Sequence, residues 1–355
     1  MTGEPLVLGV DLGGTKSAAS LLTLSGETRF RIAVPTQAER GAGAVIATLI
    51  FLAQTAQNAA PDPAALIGCG VSAGAPVDAL RGIVFPAPNL PGFPPETPLA
   101  QILADTTGLL THLENDADAT ALAEYRFGAG QGTQTMAFLT VGTGIGAGLI
   151  IGGKLHRGAF GAGGEIGHVC VDTSSAARVC NCGLRGCLEA YASGVSVLKI
   201  AIENGYSGEP TGVAVANAAR SGDRAAQEAF ADAADKLGRG LATLAMLLNP
   251  ERIVLGTLAV HASDLLLAPA IASMRRHAWN RVTENLSVVP AALGDRAQDL
   301  AALCAYLAQS GESGAGNPPP PKSGASDKTC FVLRTAPHLP TNETGDTINA
   351  VSGVV

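Results

Sequence analysis

The chain has 355 residues, 47% of them apolar and 15% charged, a composition that supports packed cores and excludes a mainly disordered protein. Its formal charge of −7, with no run of Lys or Arg, lacks the electrostatic footprint of a nucleic-acid binder. No apolar stretch reaches the about 18 residues of a spanning helix, and MTGEPLVLGV has no charged segment ahead of its apolar one, so no membrane partner is expected and a cytoplasmic protein with reduced thiols is.

Residues 6–10 form a continuous apolar run that ends at Asp11 and leads into Gly13, Gly14, Thr15 and Lys16. A small-residue-rich run over 17–24, a turn at Ser25-Gly26-Glu27 and a further run over 28–34 give strand, glycine-rich turn and strand. A Walker-type phosphate loop needs Gly-x-x-x-x-Gly-Lys-Ser/Thr opening a helix, and neither that spacing nor that helix is present. The glycines suit a tight β-hairpin whose backbone N–H groups and Thr15 hydroxyl can meet phosphate oxygens, with Asp11 placed to hold Mg²⁺. A plain hairpin turn explains the same spacing.

Residues 43–59 have helical periodicity, and 67–71 read as a buried strand leading to Ser72-Ala73-Gly74-Ala75-Pro76. The Pro- and Gly-rich region 82–98, which contains Asn89, is expected as a loop on the surface or along a cleft. A short helix over 99–107 and a strand tip over 111–114 follow, and the tip delivers Asn115 and Asp116 to a helix over 117–127. Asp116 thus sits where strand turns to helix, the place where an α/β sheet presents side chains to a ligand, although Asp there is also an ordinary helix cap.

The pattern then begins again. A strand over 136–141, a glycine-rich turn over 142–148, a strand over 149–151 and a turn at Gly152-Gly153 before Lys154 repeat the arrangement of residues 6–34. An internal duplication follows, two related α/β halves each placing a glycine hairpin at a shared cleft. Gly142-x-Gly144-x-x-Ala147 also fits a relaxed dinucleotide fingerprint, but that fingerprint needs a helix directly after its glycines and here a strand follows.

Residues 165–189 collect one histidine, four cysteines, three of them closely spaced, and three carboxylates, of which Glu165 and Glu189 stand at the two ends. His168, Cys180, Cys182 and Cys187 offer one nitrogen and three sulfurs, the donor set of a closed tetrahedral structural zinc site, with Gly183 and Gly186 letting the backbone wrap the ion. Buried thiols or a disulfide are the alternative. Cys180 and Cys182 are too close in sequence to bridge easily, and Cys69, Cys170, Cys304 and Cys330 are too dispersed for a disulfide framework. Beyond this stretch, helices are expected over 193–204, 213–221, 224–248, 262–278 and 297–309, and strands over 253–256 and 286–290. Residues 311–328, with four prolines at 318–321, have linker composition, and 330–355 are too few and too polar to form a core.

Asp11-Leu12-Gly13-Gly14-Thr15-Lys16, Glu114-Asn115-Asp116-Ala117, Gly142-Thr143-Gly144-Ile145-Gly146, Glu165-Ile166-Gly167-His168 and Cys180-x-Cys182-Gly-x-x-Gly-Cys187-x-Glu189 stand in the order found in ROK-family sugar kinases. The chain resembles that family over about residues 5–308, and its cysteine motif with the upstream histidine is the most specific part. The resemblance implies an α/β hexokinase/actin-like (ribonuclease H-like) duplicated fold, with two domains closing over a hexose and ATP in dimers or tetramers. The small domain would cover 1–115 and be completed by the helix at about 297–309, and the large domain 116–296; the linker and disordered tail expected from composition over 310–355 have no counterpart in the resemblance.

It also implies Asp116 as the general base, and Asn89, Asn115, Glu165, His168 and Glu189 as contacts to sugar hydroxyls. His168 would serve both zinc and sugar. Gly13, Gly14, Thr15 and Lys16 of the first hairpin and Thr143 and Gly144 of the second would surround the ATP phosphates, with Asp11 near Mg²⁺ and Gly256 at the adenosine. Thr257 stands where the family commonly has a second glycine, and Ala73-Gly74-Ala75-Pro76 where it often has Pro-Gly. The family also holds sugar-responsive regulators with a preceding DNA-binding domain, for which a first strand at Leu6 leaves no room. A zinc-ribbon interaction module explains neither the hairpins nor Asn115-Asp116. The expectation is an ATP-dependent kinase acting on the 6-hydroxyl of a hexose, glucose foremost. Other hexoses (N-acetylmannosamine, N-acetylglucosamine, fructose, allose) or a non-catalytic sugar-binding regulator are the alternatives.

Overall fold

Two five-stranded sheets built on one plan organise residues 4–310, the part of the chain that the computed structural model describes. The linker and tail expected over 310–355 lie, except for Ser310, outside the described residues. The first sheet takes β1 (Leu6–Leu12), β2 (Lys16–Thr23) and β3 (Thr28–Pro35) as an antiparallel meander. After α1 (Ala42–Asn58) the chain adds β4 (Leu66–Ala73) parallel to β1. A small hairpin of β5 (Val77–Asp78) and β6 (Ile83–Val84) and the helix α2 (Leu99–Thr107) precede β7 (Thr111–Asn115), which lies parallel to β4. The order is β3-β2-β1-β4-β7.

The helix α3 (Asp116–Phe127) leads to the second sheet, where β8 (Met136–Val141), β9 (Ile145–Ile151) and β10 (Lys154–Leu155) again form an antiparallel meander. Four helices follow: α4 (Glu189–Ala192), α5 (Gly194–Glu203), α6 (Gly212–Arg220) and the long α7 (Arg224–Leu248). Then β11 (Arg252–Leu255) joins β8 in parallel. After α8 (Leu258–His261), α9 (Ser263–His277) and α10 (Asn280–Thr283), β12 (Ser287–Pro290) joins β11, and the described chain closes with α11 (Ala297–Gln309). The order β10-β9-β8-β11-β12 repeats the first sheet strand for strand and sense for sense, so the expected duplication holds at the level of topology.

Packing explains the glycines that sequence alone could not place. On one face of the first sheet, α1 and α2 bury Leu49, Leu52, Leu99 and Leu103 against Leu8, Val10 and Val71. On the other, α11 lies directly on β4: a Cβ at Gly70 would stand 2.0 Å from the Ala302 carbonyl, and one at Gly68 2.1 Å from the Tyr306 ring. In the second sheet α7 and α9 cover one face. The other face receives α3, with Ala121 packed against Met136, Phe138 and Ile150.

That last contact corrects one expectation. The glycine-rich turn read over 142–148 ends at Gly144, and Ile145–Ile151 is strand, because Gly146 and Gly148 serve helix approach instead of turning. A Cβ at Gly148 would lie 2.4 Å from that of Ala121. The region 82–98 is likewise not all loop, since it contributes β6 to the small hairpin. Among the described residues no helix is long and apolar enough to cross a membrane.

Candidate active site

The sequence-predicted residues outside the 165–189 stretch, Asn89 excepted, gather at the carboxyl ends of strands that take part in parallel pairing. Asp11 and the glycine turn follow from β1, Ser72 to Gly74 from β4, Asn115 and Asp116 from β7, Gly142 to Gly144 from β8, and Gly256 and Thr257 from β11. Open α/β sheets bind ligands at such ends because the strand-to-helix turns there leave backbone N–H groups and short side chains facing a crevice.

Asp116 owes its freedom to its neighbour. The cap of α3 is Asn115, whose Oδ1 accepts from the Ala117 N–H at 2.9 Å and the Asp118 N–H at 3.4 Å, while its Nδ2 donates to the Ala75 carbonyl at 3.1 Å. Asp116 therefore occupies the first helical turn with Oδ1 accepting from Ala117 N–H at 2.8 Å. Its carboxylate is open to solvent yet enclosed by protein on most sides, as on the floor of a cleft, and this desolvation pushes its pKa up to about 6. A methyl at Gly74 would come within 3.4 Å of Asp116 Oδ2 and 3.8 Å of Asn89 Nδ2, and Asn89 Nδ2 donates to the Gly74 carbonyl at 2.7 Å. Asn89 also covers Gly14, at 3.1 Å from a methyl placed there. Asn89, Gly14, Gly74 and Asp116 thus form one contiguous patch.

Beneath the first turn lies Asp11. Its Oδ2 is buried without a hydrogen-bond partner, and burial, then the nearby Asp116 charge, push its pKa up to about 7. An orphaned buried carboxylate oxygen close to a second carboxylate is a setting that a divalent cation would satisfy, so the residues fit Mg²⁺. The turn itself is held by Thr36, whose hydroxyl donates to the Gly13 carbonyl at 2.7 Å. Gly13 cannot carry a side chain, because a Cβ would lie 2.6 Å from the Lys16 carbonyl. Thr15 and Lys16 stand exposed at the tip.

The Cys/His set comes together as expected. Single donor atoms of His168, Cys180, Cys182 and Cys187 lie within 4.8 Å of one another, with Cys182 Sγ 3.7 Å from Cys187 Sγ and Cys180 Sγ 3.7 Å from His168 Nδ1. A Zn–S bond of about 2.3 Å gives a tetrahedral edge of about 3.8 Å, whereas a disulfide needs about 2.05 Å. The six cysteines among the described residues are all free. The geometry fits zinc and leaves Nε2 as the outward nitrogen of His168, 3.9 Å from Glu165 Oε2. Gly183 and Gly186 both take positive φ in the turns around the cluster (φ 88° and 80°).

Glu189 ties this wall to the second glycine turn. Its Oε2 accepts from the Ile145 N–H at 2.9 Å and would lie 2.5 Å from a Cβ at Gly144, and its Oε1 lies 3.9 Å from Cys180 Sγ. Gly167 packs under the Ile145 carbonyl, and on the next residue a methyl at Gly146 would meet the Ala117 methyl at 3.4 Å, one position from Asp116. Thr143 is exposed at the turn tip, and Gly256 is buried against the Phe138 ring.

A model of the ROK family matches residues 7–309. The chain belongs to the ROK family. The glucokinase of Streptomyces coelicolor is 32% identical to it over 314 residues, 82% of this chain and 94% of that protein. The crystal structure of a ROK family glucokinase from Streptomyces griseus in complex with glucose and AMPPNP is 33% identical, with a TM-score of 0.72 over 86% of this chain and 99% of that one. The xylose repressor of Caldicellulosiruptor bescii is 30% identical over 314 residues, 85% of this chain and 78% of that protein. The expected α/β hexokinase/actin-like architecture is therefore the fold of this ROK chain.

Three features of this ROK site were not read from the sequence. Arg157, in the loop after β10, grips Glu114 Oε2 through Nε at 2.9 Å and through Nη2, fastening the loop that ends at Glu165 to β7, the strand that leads into Asp116. Beside it Asp118 is buried with Oδ1 unpartnered, and burial, then Glu114, push its pKa up to about 8. The Arg157–Glu114 pair joins residues 43 apart in sequence, and no local motif announces it or the burial of Asp118. The third is Thr36 under the first turn, whose only sequence signal is a small polar residue ending a strand.

Proposed function

We infer that the chain is an ATP-dependent hexose kinase that transfers the γ-phosphoryl group to the sugar 6-hydroxyl, with glucose the substrate. The observation that carries this reading is Asp116: a solvent-facing carboxylate with a raised pKa, at the carboxyl end of β7, between a glycine turn and a wall of sugar-binding residue types. Identity to glucokinases along most of the chain supports glucose. The two sheets would be the cores of two lobes divided at about 115/116, with α11 returning to the first.

In this mechanism Asp116 accepts the proton of the attacking hydroxyl as its oxygen forms the new bond to phosphorus and the bridge to the β-phosphate breaks, releasing ADP. Phosphoryl transfer is loose and largely dissociative, so Asp116 contributes by position more than by basicity. Asn89, Glu165, His168 and Glu189 would hydrogen-bond the other hydroxyls, and Asn115 would act on the sugar and on the aim of Asp116. Gly13, Gly14, Thr15 and Lys16 would meet phosphates from one side, and Thr143, Gly144 and Gly256 would meet the nucleotide from the other. Mg²⁺ near Asp11 would supply charge neutralisation for the triphosphate. Zinc held by His168, Cys180, Cys182 and Cys187 would supply no chemistry to the transfer; its coordination of Nδ1 would fix the tautomer that leaves Nε2 for sugar. We propose that the protein works as a homo-oligomer, as the resemblance implied.

A coupled ADP-release assay with ATP-Mg²⁺ across a panel of hexoses tests this. Turnover with glucose is expected to give the highest kcat/KM. Absence of turnover with every hexose, together with measurable sugar binding, would instead favour the regulator reading that the similarity to the xylose repressor keeps open.

A further inference from the structure

Among the described residues only Gln37, Asn249 and Thr257 combine a side chain with positive φ. Gln37 (φ 52°, ψ 49°) and Asn249 (φ 43°, ψ 56°) fall in the ordinary left-handed well. Thr257 does not. Its φ of 55° with ψ −112° is a glycine conformation, imposed on a β-branched residue between β11 and α8. Glycine would sit there without strain, so the threonine side chain needs a reason of its own.

That side chain points to the candidate nucleotide side of the site. Thr257 Oγ1 lies 3.1 Å from Thr140 Oγ1, the two hydroxyls standing at the carboxyl ends of the adjacent parallel strands β11 and β8. The Thr257 methyl is 3.4 Å, and its hydroxyl 3.8 Å, from the position a Cβ would take at Gly142, where the second glycine turn begins. Thr257 is exposed, so the pair borders the crevice and not the core. Two paired hydroxyls carry two protons and spend one on each other. The second is left to donate outward to an acceptor.

We propose that Thr257, backed by Thr140, is a nucleotide-binding residue that donates its hydroxyl to a phosphate oxygen of ATP lying against the second glycine turn. The proposal rests on the kinase reading above. It assigns the strained backbone a role: the strain aims a hydroxyl that glycine could not supply. Acceptor-only phosphate oxygens match the single outward proton, and no charge on Thr257 is needed, because the turn that the Gly142 N–H closes on the Gly144 carbonyl at 2.9 Å leaves the N–H groups of Thr143 and Gly144 alongside.

Thr257→Val keeps the branched shape and the strain but removes the hydroxyl. Steady-state kinetics should show KM for ATP raised by about 3- to 10-fold, the worth of one neutral hydrogen bond, with KM for glucose unchanged. Thr257→Ser should restore KM for ATP to within about twofold of the parent. Thr257→Gly should melt at a higher temperature than the parent while sharing the weakened ATP affinity, and it serves in place of the valine variant if that fails to fold. An unchanged KM for ATP in Thr257→Val and Thr257→Gly overturns the proposal, as does an equal rise in KM for glucose, which would mark a general packing defect. A parent protein that turns over no hexose with ATP sinks the kinase reading itself, and does so before any variant is made.

Discussion

Asp116 is left for its proposed role at the first turn of α3 because Asn115 has taken the cap. Had the aspartate been the cap, its carboxylate would accept from further helix N–H groups besides the one of Ala117 that it now holds, and its pKa would be lower, the opposite of what a proton acceptor near neutrality needs. Enclosure by protein raises it to about 6 instead, and its charge in turn adds to burial in pushing up the pKa of Asp11 and of Asp118. The sign follows: the group must be ionised to accept a proton, so kcat/KM for glucose should fall about tenfold per pH unit below about pH 6 and level off above it. Asp116→Asn should lower kcat by at least about 10²-fold, abolish that acid limb and leave glucose affinity close to the parent. A pH–rate profile of both proteins checks this, and a variant that keeps parental turnover would remove Asp116 from the mechanism.

At the scale of elements, the segment from Glu165 to Glu189 is one wall, with the Cys/His cluster behind it and Glu165, His168 and Glu189 along it. Cys182→Ser should release zinc, seen by metal analysis as a fall from one ion per chain. It should also raise KM for glucose by at least about tenfold, because His168 loses the partner that fixes its ring. Metal analysis that finds no zinc in the parent protein would refute the site. Much of this wall could be read in advance, since donor types, spacing and intervening glycines are local. The helices and strands were equally legible where periodicity was unbroken, as in Leu99–Thr107, Met136–Val141 and Arg224–Leu248. What stayed hidden depends on contacts between distant segments. Gly146 and Gly148 read as a turn until Ala117 and Ala121 are seen against them, and Arg157 carries no signal of its own until Glu114 is seen beside it. Thr257 could be noted as a missing glycine, but only its backbone angles say that the glycine conformation was kept.

On the scale of the whole molecule, two copies of one sheet plan each present a glycine turn and a set of strand ends, and we propose that Asp116 does its chemistry between them. The first copy is finished by α11, whose fit on β4 is set by the bare backbone at Gly68 and Gly70. Gly70→Ala should lower stability by about 1–3 kcal/mol or more, read as a drop in Tm, because its methyl meets a helix carbonyl that cannot turn aside. Loss of activity should follow only as the protein unfolds, since Gly70 lies on a covered face; a parental Tm in this variant would show that α11 is more loosely seated than its contacts indicate.

The same helix has a consequence for how the chain is made. Asp299, in the first turn of α11, pairs with Arg31 of β3 at 3.0 Å across 268 residues of sequence. The amino-terminal sheet is synthesised first but leaves one apolar face uncovered until nearly all of the described chain has emerged. Its folding therefore cannot follow the order of translation. A nascent chain stalled before residue 297 should hold β1, β2 and β4 in a protease-sensitive, chaperone-dependent state, and release past residue 309 should seal both halves together.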